Sequence, residues 1–129
     1  MKEATVLDIL RCFLEGIPQL SDKSRTTLLD DAVRRLEGRQ LEGNDEDTFK
    51  RELHFQVLRG DLVEANWFSL TPEERIYIMF PGARSVGEEV EIPKRGKGRI
   101  LWRELTDRLG LKIGFQMADG SKSAWEFFD

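Results

Sequence analysis

Apolar residues recur at helical spacing over residues 1–80 and predict about five helices there. The first helix covers 3–15 and ends at Gly16, because a glycine followed two residues later by proline stops a helix. The second begins after Ser21, whose hydroxyl can accept an early backbone N–H, and ends at Gly38. The apolar stripes of these two helices are Val6, Ile9, Leu10, Phe13 and Leu14, and Leu28, Leu29, Ala32, Val33 and Leu36.

Three further helices are predicted before the chain reaches Pro81. One opens at Asn44 or Asp45, with acids in its first turn where the helix dipole favours them, and closes at Gly60. A capping box at the start of residues 61–67 predicts a short helix over this segment. The last helix covers 75–80, after a threonine cap with proline at the first helical position, in the segment Thr71-Pro72-Glu73-Glu74.

The pattern changes after Pro81-Gly82. Residues 89–92 alternate weakly and predict a short strand. Residues 99–109 predict one more helix, which ends at Gly110. The apolar face of that helix consists of Leu101, Trp102, Leu105 and Leu109, and Arg103 lies one turn beyond Arg99 on a shared face.

The last part of the chain predicts a β-hairpin. Residues 111–117 alternate strictly between large apolar and polar or small side chains, and 123–128 return as a second strand. A two-residue turn would set Ile113 against a glutamate, whereas a three-residue loop over 118–120 sets apolar against apolar. We therefore predict the longer loop, with Gly120 left-handed. It pairs Leu111 with Phe127, and Ile113 with Trp125.

The predicted fold class is α+β, with a helical N-terminal part followed by a helix and a C-terminal antiparallel hairpin. We expect a single domain over 1–129, with a seam at 81–87 between a helical part (1–80) and a small β-α-β-β part (88–129).

Composition places the chain among globular proteins and favours a cytoplasmic location. The hydrophobic fraction of 40% is too high for a disordered chain, and the single cysteine excludes an internal disulfide. The N-terminus lacks the apolar stretch of a signal peptide, and no apolar run is long enough to span a membrane. We therefore expect no membrane partner.

Charge is unevenly distributed along the chain. The net charge is −4, yet 94–112 carries seven basic residues against two acidic ones, directly after an acidic segment at 88–91. Two glycines give conformational freedom to the backbone of the segment Pro93-Lys94-Arg95-Gly96-Lys97-Gly98-Arg99. Basic side chains beside the start of a helix favour the binding of an anion. The competing interpretation is a solvated loop whose charges balance the nearby glutamates. The spacing differs from that of a P-loop, and the likeness to a minor-groove AT-hook is superficial.

No catalytic, metal or cofactor site is predicted. His54 is the only histidine and has no second ligand nearby in sequence, which makes zinc improbable. Cys12 sits in an apolar helix and is expected to be an inert buried thiol. Clustered carboxylates such as Asp30-Asp31 are typical of solvated faces.

The leading hypothesis is a small non-enzymatic regulatory or adaptor protein. It would bind a protein partner with an acidic surface through the basic loop and helix start at 94–103, with an aromatic anchor. The predicted contact residues are Lys94, Arg95, Lys97, Arg99, Trp102, Arg103 and Phe128.

Two alternatives stay open. The first is a nucleic-acid-binding protein with a winged-helix-like C-terminal part, in which Arg99, Arg103 and Lys112 contact phosphate. The second is an enzyme whose site is assembled from dispersed carboxylates. The sequence leaves the oligomeric state undetermined.

Overall fold

The computed structural model describes residues 6–36 and 48–128, with only the backbone described for Val6 and 48–54. The described residues form four α-helices and a four-stranded antiparallel sheet, which confirms the α+β class. The helices are α1 (Val6–Glu15), α2 (Asp22–Leu36), α3 (Thr48–Ala65) and α4 (Pro72–Met79), with a 3-10 turn at Trp67–Ser69. The strands are β1 (Glu89–Ile92), β2 (Gly96–Leu105), β3 (Leu111–Met117) and β4 (Lys122–Phe127).

The chain divides into two compact units, Met1–Ile78 and Met79–Asp129. We call them the helical unit and the sheet unit. The single domain and the seam at 81–87 stay predictions.

The helical unit buries part of the apolar stripes predicted from the sequence, but Val33 of the second stripe is 47% exposed. Leu10, Leu14 and Leu28 are fully buried, and each such side chain contributes about 2 kcal/mol through burial. Arg25 of α2 satisfies carbonyls at the end of α1, because its guanidinium donates to Leu14 O at 3.0 Å and to Ile17 O at 2.6 Å.

The helix starts of α2 and α4 share one buried carboxylate, that of Glu74. The predicted threonine cap at Thr71 is part of a capping box with Glu74, with Thr71 N donating to Glu74 Oε1 at 3.0 Å and Glu74 N donating to Thr71 Oγ1 at 3.1 Å. Ser21 N, at the start of α2, donates to Glu74 Oε2 at 3.1 Å. Burial opposes ionisation of Glu74, but hydrogen bonds from Ser24, Thr71 and Ser21 outweigh it and lower the pKa.

Helix α3 differs from the prediction at its C-terminal end. It continues through Gly60 to Ala65, so the short helix expected over 61–67 is largely its last turns. Leu62 and Val63 are buried on this extension, and their packing exceeds the cost of about 1 kcal/mol for a helical glycine. The predicted boundaries at Gly38 and at Asn44 or Asp45 lie outside the described residues.

The sheet unit is a meander in which each strand pairs with the next along the chain. The predicted hairpin register is confirmed for β3 and β4, and Gly120 is left-handed with φ of 88°. A buried cluster of Ile92, Ile100 and Phe115 forms the centre of the unit.

The predicted helix over 99–109 is wrong, because 96–105 is strand β2. Between Ile100 and Trp102 the pairing with β3 shifts by one residue, which places Leu101 in a β-bulge. The bulge removes the alternation by which a strand is recognised and leaves apolar residues at spacings that imitate a helix. Only the turn at 106–110 remains between β2 and β3.

The bulge also decides which face of the sheet each residue of β2 occupies. We define the apolar face by Val90, Ile92, Ile100, Arg103, Leu105, Ile113, Phe115, Trp125 and Phe127. We define the polar face by Glu89, Glu91, Lys97, Arg99, Trp102, Glu104, Lys112, Gly114, Gln116, Lys122, Ala124 and Glu126.

Candidate interaction surface

Lys94 and Arg95 lie at the tip of the β1–β2 hairpin and are exposed. Pro93 opens a tight turn that closes with Arg95 N donating to Ile92 O at 3.0 Å. Lys94 takes the left-handed position of this turn with φ of 66°, and Gly96 follows with φ of 88°. The basic segment is therefore a hairpin tip rather than a loop before a helix.

Arg95 is held by an aromatic contact. Its guanidinium carbon lies 5.2 Å from the ring centroid of Trp125, a cation–π arrangement. Trp125 belongs to the apolar face, so Arg95 points to that side of the sheet while Lys97 and Arg99 point to the other.

Lys97 and Arg99 line a shallow hollow of about 390 Å³ on the polar side of the sheet unit. Gln116 lies opposite Arg99 on β3, and Glu89 lies opposite it on β1. Lys97 Nζ is 3.8 Å from Glu89 Oε1, and both side chains are more than half exposed, so this ion pair contributes little. The balancing glutamate thus stands beside the bases without covering them.

Trp102 lies on the same face, one row along the sheet from Arg99 and Gln116, and provides an aromatic surface. It lies opposite Gly114 on β3, and its indole ring occupies the space that a Cβ at Gly114 would need. The next residue across the sheet is Ala124. The absence of a side chain at Gly114 leaves room for the ring above β3, and Trp102 is 40% exposed.

Arg103 does not join this surface, which corrects the expectation that it shares a face with Arg99. On a helix, residues four apart lie together; here the bulge turns Arg103 to the apolar face, where it is partly buried and its Nη1 donates to Arg84 O at 2.5 Å. Arg103 therefore braces the segment before β1.

Phe128 does not join it either. It follows β4 at the end of the sheet opposite the Lys94–Arg95 tip, is 58% exposed, and has the Arg108 guanidinium 5.4 Å from its ring. The predicted residues that lie together are Lys97, Arg99 and Trp102, with Lys94 at the adjoining tip. We call Lys97, Arg99 and Trp102, with Gln116 and Lys122, the Trp102 surface.

Sequence reasoning missed Gln116, Lys122 and the role of Gly114. The alternation of β3 places Gln116 and Gly114 on the polar face, and the confirmed register brings Lys122 opposite Gln116. The alternation of β3 and the hairpin register were therefore present in the sequence, but these residues could be joined to the basic segment only once β2 was recognised as a strand beside β3.

Three exposed or half-buried carboxylates serve local structure. A hydrogen bond from Ser85 N, followed by contacts with Arg84, lowers the pKa of Glu88. Hydrogen bonds from the hydroxyl and backbone of Ser121 lower the pKa of Asp119. The Thr106 hydroxyl, with Arg108 and Lys112, lowers the pKa of Glu126.

Within 6–36 and 48–128, no group of three or more His, Cys, Asp or Glu residues is arranged to hold a metal ion. No helix in these same ranges has the length and apolar character needed to cross a membrane.

Cys12 is exposed, so the prediction of a buried thiol is wrong. The residue lies outside the stripe of Leu10 and Leu14 that faces the core. The side chain of His54 lies outside the described residues.

A second depression lies on the apolar face of the sheet unit. This groove has a volume of about 430 Å³, and its walls come from the segment 79–84 and from the strands. Ile113, Trp125 and Phe127 are among its lining residues. It offers apolar contact area and little hydrogen-bonding capacity.

The chain matches no known protein-family model, no curated protein and no solved structure.

Proposed function

We propose that this protein is a small non-enzymatic regulatory or adaptor protein that binds a protein partner with an acidic surface through the Trp102 surface. The observation that carries the proposal is the position of Trp102, a large aromatic ring that is 40% exposed and occupies the space that a Cβ at Gly114 would need. An exposed tryptophan offers a large apolar contact area at a small cost in side-chain conformational freedom, which suits it to be a binding anchor.

Cations beside the ring supply charge complementarity. Arg99 and Lys122 lie in the row of the sheet next to Trp102, and both are exposed. An acidic partner would gain favourable contacts with these side chains at the rim of the interface, where charge raises the association rate and sets orientation. Tryptophan and arginine are also the side chains that most often dominate interface energies.

Charge of both signs on the polar face favours a protein over a nucleic acid. Glu89 and Glu91 of β1 stand beside Arg99 and Lys97, and these carboxylates would repel a phosphate backbone. A folded partner can place its own cation opposite each glutamate.

A nucleic acid is the second candidate because an exposed aromatic ring beside cations can stack on an unpaired base. A winged-helix protein reads DNA with a helix that precedes the hairpin. In the part of the chain that the structure describes, no helix follows Met79, so this form of nucleic-acid binding is not favoured. A single-stranded ligand is then the relevant one.

The test is quantitative capture of partners from an extract of the native source on the immobilised protein. The site variant is Lys97→Ala/Arg99→Ala/Trp102→Ala. The matched control is Lys23→Ala/Arg34→Ala/Phe68→Ala, which removes the same charge and an exposed aromatic from the helical unit. We expect the control to retain the bound proteins and the site variant to lose them.

Affinity for a purified partner should fall about thirtyfold for Trp102→Ala, as is typical of a central anchor. Equal retention by wild type and the site variant would refute the proposal. Salt titration against random single-stranded RNA and DNA separates the two candidates, because phosphate binding weakens steeply with salt. Tight, salt-sensitive binding to these probes that the site variant abolishes would favour the nucleic-acid candidate.

A further inference from the structure

Strand β4 forms one edge of the sheet, and no other strand of the described residues pairs with its outer side. The Met117–Ser121 pair that closes the hairpin is hydrogen-bonded, with Met117 N donating to Ser121 O at 2.8 Å. Because hydrogen-bonded and non-hydrogen-bonded pairs alternate in an antiparallel ladder, the backbone groups of Lys122, Ala124 and Glu126 point away from β3. Among the residues that the structure describes, no backbone partner faces these donors and acceptors at the edge.

The side chains at the same positions are self-complementary. Lys122 and Glu126 carry opposite charges, stand symmetrically about Ala124, and lie on the polar face. When two copies of β4 run antiparallel about a two-fold axis at Ala124, Lys122 of each copy faces Glu126 of the other. The outward backbone groups at these positions are then the ones that form the ladder.

The small residue at the axis also fits. Ala124 is exposed and would lie opposite Ala124 of the second copy. Two alanine side chains are small enough to lie side by side on the polar face without a steric clash. Glu126 already accepts from Thr106 Oγ1 at 2.8 Å and Arg108 Nη2 at 3.0 Å, and a carboxylate has lone pairs left for a lysine.

The other edge of the sheet is built in the opposite way. Strand β1 has four residues, and the same antiparallel pairing about Val90 would set Glu89 against Glu91 of the second copy. Like charges directly opposite destabilise strand pairing, so β1 is protected from self-association. Strand β4 contains neither proline nor a bulge, and its charges attract a second copy.

We propose that the protein forms a homodimer by antiparallel pairing of β4 with β4 of a second copy, in the register that sets Lys122 against Glu126. The two sheets then join into one, and the rows that contain Trp102, Gly114 and Ala124 become continuous across the axis. The contact is small compared with obligate interfaces, so the dimer dissociates on dilution.

The test is sedimentation velocity of the full chain from micromolar to millimolar concentration. We expect Lys122→Glu and Glu126→Lys each to weaken association about tenfold or more, because each variant creates two like-charged pairs. An equimolar mixture of the two variants should dimerise again, since every pair in the heterodimer then has opposite charges. The control Lys23→Glu makes the same charge change on an exposed site of the helical unit and should dimerise as wild type does.

A backbone variant tests the same edge without altering charge. Ala124→Pro removes an N–H that points away from β3, so folding is retained while the central pair of hydrogen bonds is lost. We expect a monomer with an unchanged circular dichroism spectrum. A wild type that stays monomeric at millimolar concentration, a dimer that survives both Ala124→Pro and Lys122→Glu, or a mixture that associates no better than its components would overturn the proposal.

Discussion

Replacing Glu74 tests whether one buried carboxylate holds the starts of α2 and α4 together. Its side chain accepts from Thr71 N at 3.0 Å and from Ser21 N at 3.1 Å, and the residue is only 4% exposed. Each hydrogen bond from a backbone N–H to a buried charged group contributes about 1.5 kcal/mol, and removing the acceptor leaves both donors unsatisfied. Glu74→Ala should therefore lower the free energy of unfolding by about 3 kcal/mol.

Glu74→Gln separates charge from shape. The amide keeps one acceptor oxygen but turns its NH₂ group toward the second backbone N–H, so we expect a loss of about 1.5 kcal/mol. Urea unfolding followed by circular dichroism at neutral pH measures both values. The control Glu64→Gln removes an exposed carboxylate from α3 and should leave the free energy of unfolding within about 0.5 kcal/mol of wild type.

The pH dependence has a definite sign. Because the folded-state pKa of Glu74 lies below its ordinary value of 4.5, its stabilising effect is fully present above that pH and is lost as the pH falls through the folded-state pKa. The difference between wild type and Glu74→Gln should therefore shrink in acid. A Gln variant as stable as wild type at neutral pH, or a difference that persists in strong acid, would refute this account of Glu74.

Three further predictions concern single positions. Gly114→Ala should displace the Trp102 ring from the sheet and weaken partner binding about as much as Trp102→Ala, since a Cβ has no room beneath the indole; unchanged affinity would show that the seating of the ring is irrelevant. Lys94→Gly should stabilise the protein by about 0.5–1 kcal/mol in thermal unfolding, because it relieves a left-handed lysine with φ of 66°, and a lower midpoint would contradict this. Cys12 is exposed and should react with a maleimide in the native state, whereas a need for denaturant would mean that the thiol is buried.

Local signals were sufficient where one short segment determines its own structure. The threonine cap followed by Pro72 is a signal from adjacent residues, and Thr71 caps the start of α4 as predicted. The β3–β4 loop followed from the parity of apolar residues on two strands, which permits only one register to bury both apolar sets. These are arguments from spacing alone.

Strand β2 could not be recognised in this way. The bulge at Leu101 interrupts the period-2 pattern, so that Ile100 and Leu105 reach the same face although five residues apart. The same interruption separates Arg99 from Arg103, which the sequence placed together. The existence of the basic segment was therefore evident from composition, whereas the direction of each side chain depended on a backbone irregularity set by pairing with β3.

The burial of Trp102 on partner binding tests the central claim most directly. The variant Trp67→Phe/Trp125→Phe leaves Trp102 as the only tryptophan, because the chain has three. With a purified partner at saturation, its fluorescence emission should shift to shorter wavelength and its quenching by iodide should fall, since an exposed ring then enters an interface. Emission and quenching that stay unchanged while the partner is bound would contradict the claim that Trp102 is the anchor.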